Sequence, residues 1–155
     1  MTFQANSADL AGGALYAWNA NKATNVTIVG GSFVGNEART QWGGAVANWH
    51  STVLLNGSVL DGNQAAMMGG ALWTDAESTS NLTHATWTVN NTAAAAAKGG
   101  GGGGVVWSHP KGDTYLLSHN TFLVDHAAQA TPSAVGREFM NVHGVQGGGL
   151  DVRIL

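Results

Sequence analysis

Carboxylates and histidines are the side chains that could carry acid–base or metal chemistry in this chain, and both are sparse. Of 155 residues, nine are Asp or Glu and six are His. Cleaving a polysaccharide needs a pair of carboxyl groups at a defined separation, and calcium needs several oxygen ligands converging on one point. The nine carboxylates are scattered instead, at Asp9, Glu37, Asp61, Asp75, Glu77, Asp113, Asp125, Glu138 and Asp151. We therefore predict no catalytic, metal or cofactor residue, and a non-enzymatic role is favoured.

Two histidines, His84 and His119, occupy equivalent places in successive copies of the repeat that is defined below. Stacked on adjacent coils, they would form a pair, but a zinc site needs at least three protein ligands. No third ligand is evident, and Gly30 and Gly57 fill the same place in earlier copies. A stacked surface pair is therefore favoured over a metal site.

Tryptophan recurs after a glycine-rich mark in four copies of the repeat. One interpretation is that these side chains cover a hydrophobic edge or the core. The other is that they form an exposed aromatic row that stacks on sugar rings or docks a partner. The sequence leaves both open for Trp18, Trp49, Trp73 and Trp107.

The composition excludes several classes of protein. Net charge is −3 and only six residues are Lys or Arg, too few for the basic stripe that nucleic-acid binding requires. With 44% hydrophobic residues the chain is not a charged disordered segment. There is no cysteine, and no apolar run is long enough to predict a transmembrane helix.

Internal repetition is the strongest signal in the sequence. Its first mark is a bulky apolar residue followed at the third position by Asn or Asp, usually with Ala two positions later. The marks begin 30, 27, 27 and 35 residues apart. The five pairs are Phe3/Asn6, Phe33/Asn36, Leu60/Asn63, Trp87/Asn90 and Phe122/Asp125, with Asn91 as the alternative to Asn90 in the fourth.

The second mark is a glycine pair that opens an apolar run. It reads GGALYAW, GGAVANW, GGALW, GGVVW and GGLDVRIL, beginning at Gly12, Gly43, Gly69, Gly103 and Gly148. Glycine adopts positive φ without a Cβ clash. We therefore predict chain corners at Gly12, Gly13, Gly43, Gly44, Gly69 and Gly70.

These marks predict an all-β fold, a right-handed parallel β-helix of about five coils with two or three strands per turn and uncapped ends. Columns of apolar residues also recur upstream of the first mark, at Ile28, Leu55, Leu82 and Leu117 and at Val26, Val53, Ser80 and Tyr115. Because each coil lies about 4.8 Å above the last, the recurring Asn is expected to form a hydrogen-bonded ladder of Asn6, Asn36, Asn63, Asn90 and Asp125.

Two segments break the period. The low-complexity stretch at 93–104 is read as a loop, because five alanines are too few for a stable helix and polyglycine behaves as a flexible linker. The segment at 129–146 is read as an inserted loop, with a short helix near 135–140. The whole chain, 1–155, is then one β-helix repeat domain, and it is expected to be a piece of a longer protein, since it has no signal-peptide features.

The pairing of GGA[LV] with F-x-x-N resembles the repeat of chlamydial polymorphic outer-membrane proteins. The residues that carry the resemblance are Gly12–Leu15, Gly43–Val46 and Gly69–Leu72, with Phe3/Asn6 and Phe33/Asn36. The resemblance implies a pectin-lyase-like β-helix, an extracellular or cell-surface location, and adhesion or scaffolding. The partners it implies are glycans or cell-surface proteins.

Three hypotheses on function follow. The first is a non-enzymatic adhesive or scaffolding repeat module. The second is a pectin-lyase-like polysaccharide lyase or hydrolase whose site lies in the loops or in missing coils. The third is a truncated product with no independent activity. In every case open strand edges are expected to cause self-association.

Overall fold

A computed structural model describes residues 1–19, 24–84, 86–88, 90–94, 106–108, 113–118, 120–124, 140–141 and 150–154. Side chains are described for 1–19, 24–84, 90–94 and Val106. Within these ranges the chain is all β, with 19 strands and no α-helix. The described residues contain no helix long and apolar enough to cross a membrane.

The strands form four parallel sheets, which we number in the order in which the chain visits them. Sheet 1 contains β1 (Thr2–Gln4), β5 (Ser32–Val34), β9 (Val59–Asp61), β13 (Thr86–Thr88), β17 (Asn120–Val124) and β19 (Leu150–Ile154). Sheet 2 contains β2 (Ser7–Ala8), β6 (Glu37–Ala38), β10 (Gln64–Ala65) and β14 (Thr92–Ala93). Sheet 3 contains β3 (Leu15–Trp18), β7 (Val46–Trp49), β11 (Leu72–Thr74), β15 (Val106–Ser108) and β18 (Met140–Asn141). Sheet 4 contains β4 (Asn25–Val29), β8 (Thr52–Asn56), β12 (Thr79–Thr83) and β16 (Asp113–Ser118).

This order makes the chain a parallel β-solenoid. From β1 to β13, each strand pairs with the strand four places further along the chain, as β1 does with β5 and β5 with β9. One coil therefore contributes four strands, not the two or three that were predicted, because the short segment after each ladder Asn pairs as a strand of sheet 2. About three coils are described with their side chains, fewer than the five expected, and β13–β19 extend the pairing. The right-handed winding stays a prediction.

The core lies inside the coils and is built from columns of identical positions. Phe3 pairs with Phe33 and their rings stack with centroids 4.6 Å apart, and Leu60 continues the column. Ile28, Leu55 and Leu82 form a second column in register. Most of these side chains are buried, and each buried Leu or Phe stabilises the fold by about 1.5–3 kcal/mol. The predicted columns are therefore confirmed over the first three coils.

In the fourth coil the predicted register is off by one residue. Leu82 lies opposite Leu116, not Leu117, and Ser80 lies opposite Thr114, not Tyr115. The register shifts between Leu82 and Thr83, so that β16 contains one more residue than its partner. The predicted positions in the fourth coil are found by counting back from Phe122, and this count passes the additional residue of β16. Both predicted column members are therefore one residue away from the observed ones.

The last glycine mark does not open a strand of sheet 3. Residues Leu150–Ile154 pair with β17 in sheet 1, where Val152 lies opposite Phe122. The place in sheet 3 is taken by Met140–Asn141, which pairs with Val106 and Trp107. These two residues are a strand within the predicted insertion at 129–146, and the rest of that segment, including most of the predicted helix, lies outside the described residues.

The first residue of the predicted low-complexity loop at 93–104 belongs to a strand. Ala93 closes β14, where it pairs with Ala65 and is buried. Residues 95–104 lie outside the described part of the chain.

Candidate functional site

The asparagine ladder runs through the corner between sheets 1 and 2. Asn6 Nδ2 donates to Asn36 Oδ1 at 2.9 Å, Asn36 Nδ2 to Asn63 Oδ1 at 2.9 Å, and Asn63 Nδ2 to Asn91 Oδ1 at 2.8 Å. The fourth rung is thus Asn91, and the choice of Asn90 was wrong. Asn90 is exposed, and its Nδ2 donates to Asp61 Oδ1. The proposed last member, Asp125, lies outside the described residues.

The corner glycines are needed for two different reasons. Gly12, Gly43 and Gly69 have φ near +64°, which Gly adopts without strain. A Cβ on Gly44 would instead overlap the carbonyl oxygen of Gly70 and the backbone of Gln64 on the next coil. The first glycine of a pair therefore turns the chain, and the second lets the next coil approach. Both roles are structural.

The four tryptophans of the predicted row do not form one column. Trp18 lies opposite Trp49. Trp73 lies opposite Trp107 on one side and opposite Ala47 on the other, and Ala47 is two positions before Trp49 on the same strand. The sequence contained this signal, because Trp18 and Trp49 follow their glycine pair by six positions and the other two by four. The side chain of Trp107 lies outside the described residues.

Trp73 belongs to a packed cluster on the outer side of sheet 3. It is only 4% exposed, and it stacks on Trp42 with ring centroids 4.6 Å apart and planes 11° apart. Trp49 packs edge-on against both rings at about 6 Å, at 5.9 Å from Trp42 and 6.0 Å from Trp73. Ala47 lies in the same cluster. The burial of Trp73 agrees with the interpretation that these side chains cover a hydrophobic edge or the core.

Trp42 is the residue that the sequence analysis missed. It precedes the glycine pair and does not recur in other copies, where Ala11 and Met68 take the equivalent place. The backbone shows this equivalence, because the N–H of Gly12 donates to the carbonyl oxygen of Trp42 and the N–H of Gly43 donates to that of Met68. A repeat search finds positions that agree, and Trp42 differs between copies. Its contact with Trp73 could not be read from the period.

Among the described side chains, Trp18 and Tyr16 are the most exposed aromatic residues of sheet 3. Trp18 is 57% exposed and Tyr16 is 45% exposed. Both lie on the outer side of β3, above Trp49 and Ala47 of the next coil. Partial burial, with a smaller contribution from the negative charge of Asp75, raises the pKa of the Tyr16 hydroxyl. Tyr16 is therefore neutral at physiological pH and can donate a hydrogen bond.

We define the aromatic face as Tyr16, Trp18, Trp42 and Trp49. His50 adjoins it, edge-on to Trp49 at 6.2 Å, and its backbone N–H donates to Ser78 Oγ at 2.7 Å. The face thus combines an exposed indole, a phenol hydroxyl and an imidazole on a packed base. Such a surface can stack on an apolar ring face and hydrogen-bond to hydroxyl groups at its edge.

Within the described residues, two of the carboxylates belong to an exposed group of ion pairs. Arg39 bridges Asp9 at 3.5 Å and Glu37 at 3.6 Å on an exposed edge. No group of three His, Asp or Glu residues that could hold a metal ion is found in the described part of the chain. His84 is exposed, with φ of +52°, and its Nδ1 lies 2.9 Å from Thr83 Oγ1. The proposed partner His119 lies outside the described residues.

Comparison with known proteins adds no relative. No family model, no curated protein and no solved structure matches the chain.

Proposed function

We propose that this protein is a non-enzymatic β-solenoid module of the cell surface or the extracellular space, and that it binds glycans through the aromatic face. The observation that carries the proposal is the exposed indole of Trp18 above a packed tryptophan cluster. The resemblance to polymorphic outer-membrane repeats is consistent with this role, which combines adhesion with scaffolding.

The rigidity of the base favours binding. Trp49 is held by edge contacts to two other indoles, so the surface beside Trp18 is fixed before a ligand arrives. A ligand that stacks on a preorganised surface loses less binding free energy to side-chain ordering. Tyr16 and His50 lie at the edge of this surface, where they can hydrogen-bond to sugar hydroxyls.

Substitution of Trp18 tests the proposal directly. The change Trp18→Ala removes the exposed ring and leaves the Trp42–Trp49–Trp73 cluster in place, so we expect a loss of affinity of about tenfold or more, which corresponds to about 1.4 kcal/mol. The measurement is binding of the purified protein to an array of glycans and to cell-wall polysaccharides. Leu10→Ala is the matched control, because Leu10 is 61% exposed on the same coil but lies outside the aromatic face.

Two results would contradict the proposal. One is that the protein binds no glycan on the array. The other is that Trp18→Ala and Leu10→Ala bind with the affinity of the unchanged protein.

A further inference from the structure

Sheet 4 presents an outer face whose chemistry differs from that of the aromatic face. In β4, β8 and β12 alternate residues point inward to the core, which leaves three outward side chains on each strand. None of the nine is charged or aromatic, and four are threonine. We define this threonine face as Asn25, Thr27, Val29, Thr52, Leu54, Asn56, Thr79, Asn81 and Thr83.

The backbone positions of the threonine face are regular, whereas the residue types vary along its three columns, Asn25/Thr52/Thr79, Thr27/Leu54/Asn81 and Val29/Asn56/Thr83. The five residues of β4 pair in unbroken register with those of β8, and those of β8 with those of β12. The register shift comes only beyond, between β12 and β16. Outward side chains therefore repeat about every 4.8 Å across the coils and about every 6.7 Å along each strand.

The side chains of this array are largely fixed and available. Four threonines and Val29 are β-branched, so that each has a restricted χ1 angle. The side chains of Asn25, Thr27 and Thr52 make no hydrogen bond within the described part of the chain, nor do those of Asn56, Thr79 and Asn81. The face thus offers hydroxyl, amide and methyl groups at preset positions.

The occupant that complements this face best is periodic, as the backbone positions are, and uncharged, because none of the nine side chains carries a charge. In a tetrahedral water network, two molecules that are hydrogen-bonded at about 2.8 Å to a common third lie about 4.5 Å apart. This spacing is within about 0.3 Å of the coil repeat, so side-chain torsions can absorb the mismatch over three coils. A crystalline polysaccharide is a poorer fit, because stacking on sugar rings needs aromatic side chains and these lie on sheet 3.

We propose that the threonine face binds the surface of ice, with its hydroxyl and methyl groups ordering a layer of water that joins the crystal lattice. The proposal is independent of the glycan-binding role, since the two faces belong to different sheets. Three of the four N-x-S/T sequons, at Asn25, Asn56 and Asn81, begin on this face. A glycan attached there would cover it.

The test is ice growth in the presence of the unglycosylated chain. We expect the protein to slow ice recrystallisation several-fold and to shape single ice crystals, relative to an inert protein of equal mass. Leu54→Lys places a charged chain at the centre of the array and should abolish both effects. Gln64→Lys is the matched control, because Gln64 is an exposed outward residue of sheet 2, and it should retain both.

A second substitution guards against loss of folding. Thr27→Lys changes an exposed residue of the first coil, and it should weaken the effect while circular dichroism stays unchanged. The proposal is overturned if the unchanged protein leaves ice growth as the inert protein does. It is also overturned if folded Leu54→Lys and Thr27→Lys match Gln64→Lys. If Trp18→Ala alone removes the effect, ice binds to the aromatic face and the proposal fails.

Discussion

The side-chain amide of Asn63 shows how a single residue links three coils. Its Nδ2 donates to the carbonyl of Phe33 on one side and to Asn91 Oδ1 on the other. Its Oδ1 accepts from the backbone N–H and the Nδ2 of Asn36. All four hydrogen-bonding positions of a fully buried amide are therefore used, which is why Asn is required there.

The change Asn63→Asp should destabilise the protein strongly at neutral pH. An ionised carboxylate cannot donate, so the Phe33 carbonyl and Asn91 Oδ1 would lose their donor, and each such buried acceptor costs about 1–3 kcal/mol. We expect the free energy of unfolding to fall by about 3 kcal/mol or more in urea titrations at pH 7. Asn25→Asp is the control, because Asn25 is exposed, is not a rung of the ladder and makes no side-chain hydrogen bond to another described residue, and it should cost less than about 1 kcal/mol.

The same variant should show an inverted pH dependence. Burial disfavours the charged carboxylate, so the pKa of the introduced Asp is higher in the folded state than its unfolded value of about 3.9. The folded state then binds the proton more tightly, and stability rises as pH falls through the raised pKa toward the unfolded one. Equal losses for Asn63→Asp and Asn25→Asp, or no gain at low pH, would contradict the ladder.

At the scale of the element, the corner between sheets 2 and 3 is set by backbone geometry. Gly44 lies at this corner, where a Cβ would overlap the backbone of the next coil. Gly35 lies at the corner between sheets 1 and 2, with φ of +61° and open space where a Cβ would be. Substituting Gly44 therefore tests the close approach of two coils, and substituting Gly35 tests the positive φ alone. The two substitutions should lower the free energy of unfolding by different amounts.

We expect Gly44→Ala to be much more destabilising than Gly35→Ala. A Cβ at Gly44 must push adjacent coils apart, which costs about 3 kcal/mol or more, at the upper end for overpacking. A Cβ at Gly35 meets no atom, so the cost is only that of a left-handed L-residue, about 1–2 kcal/mol. Chemical denaturation of the two single variants gives the comparison. A larger loss for Gly35→Ala would show that positive φ, and not close approach, governs the corners.

The strand columns could be predicted because parallel stacking places equivalent residues directly over one another. Phe33 over Phe3 and Leu55 over Ile28 follow from the period alone. Sheet 2 was not foreseen, since strands of two residues carry no alternation to detect. The fourth-coil register failed because one additional residue in β16 leaves no mark in composition.

The candidate site was harder to predict than the fold. Exposure of Trp18 and burial of Trp73 depend on what covers the outer side of sheet 3. The cover is Trp42, which occurs in one copy, so the repeat carried no information about it. The threonine face was accessible in principle, because its nine residues lie at alternate positions of three aligned strands, but only the inward columns were followed.

At the scale of the whole molecule, a solenoid distributes its stability along one axis, since each coil contacts only its neighbours. The first coil is less well covered than the next two. The inward side chains Phe3 and Leu15 are only partly buried there, whereas Phe33 and Val46, which take the same places in the second coil, are fully buried. The strands of this coil are edge strands of their sheets within the described residues.

We expect the 155-residue polypeptide to self-associate through this coil. Edge strands present unpaired N–H and C=O groups that recruit further strands, and Phe3 is only half-buried by its stacking on Phe33. Sedimentation velocity over a range of protein concentrations should show oligomers. Thr2→Lys should shift the distribution toward monomer by placing an outward charge on the edge strand β1, whereas Val59→Lys, in the same column two coils away, should leave it unchanged. A monomer at every concentration, or equal effects of the two lysines, would mean that the first coil does not recruit a second copy.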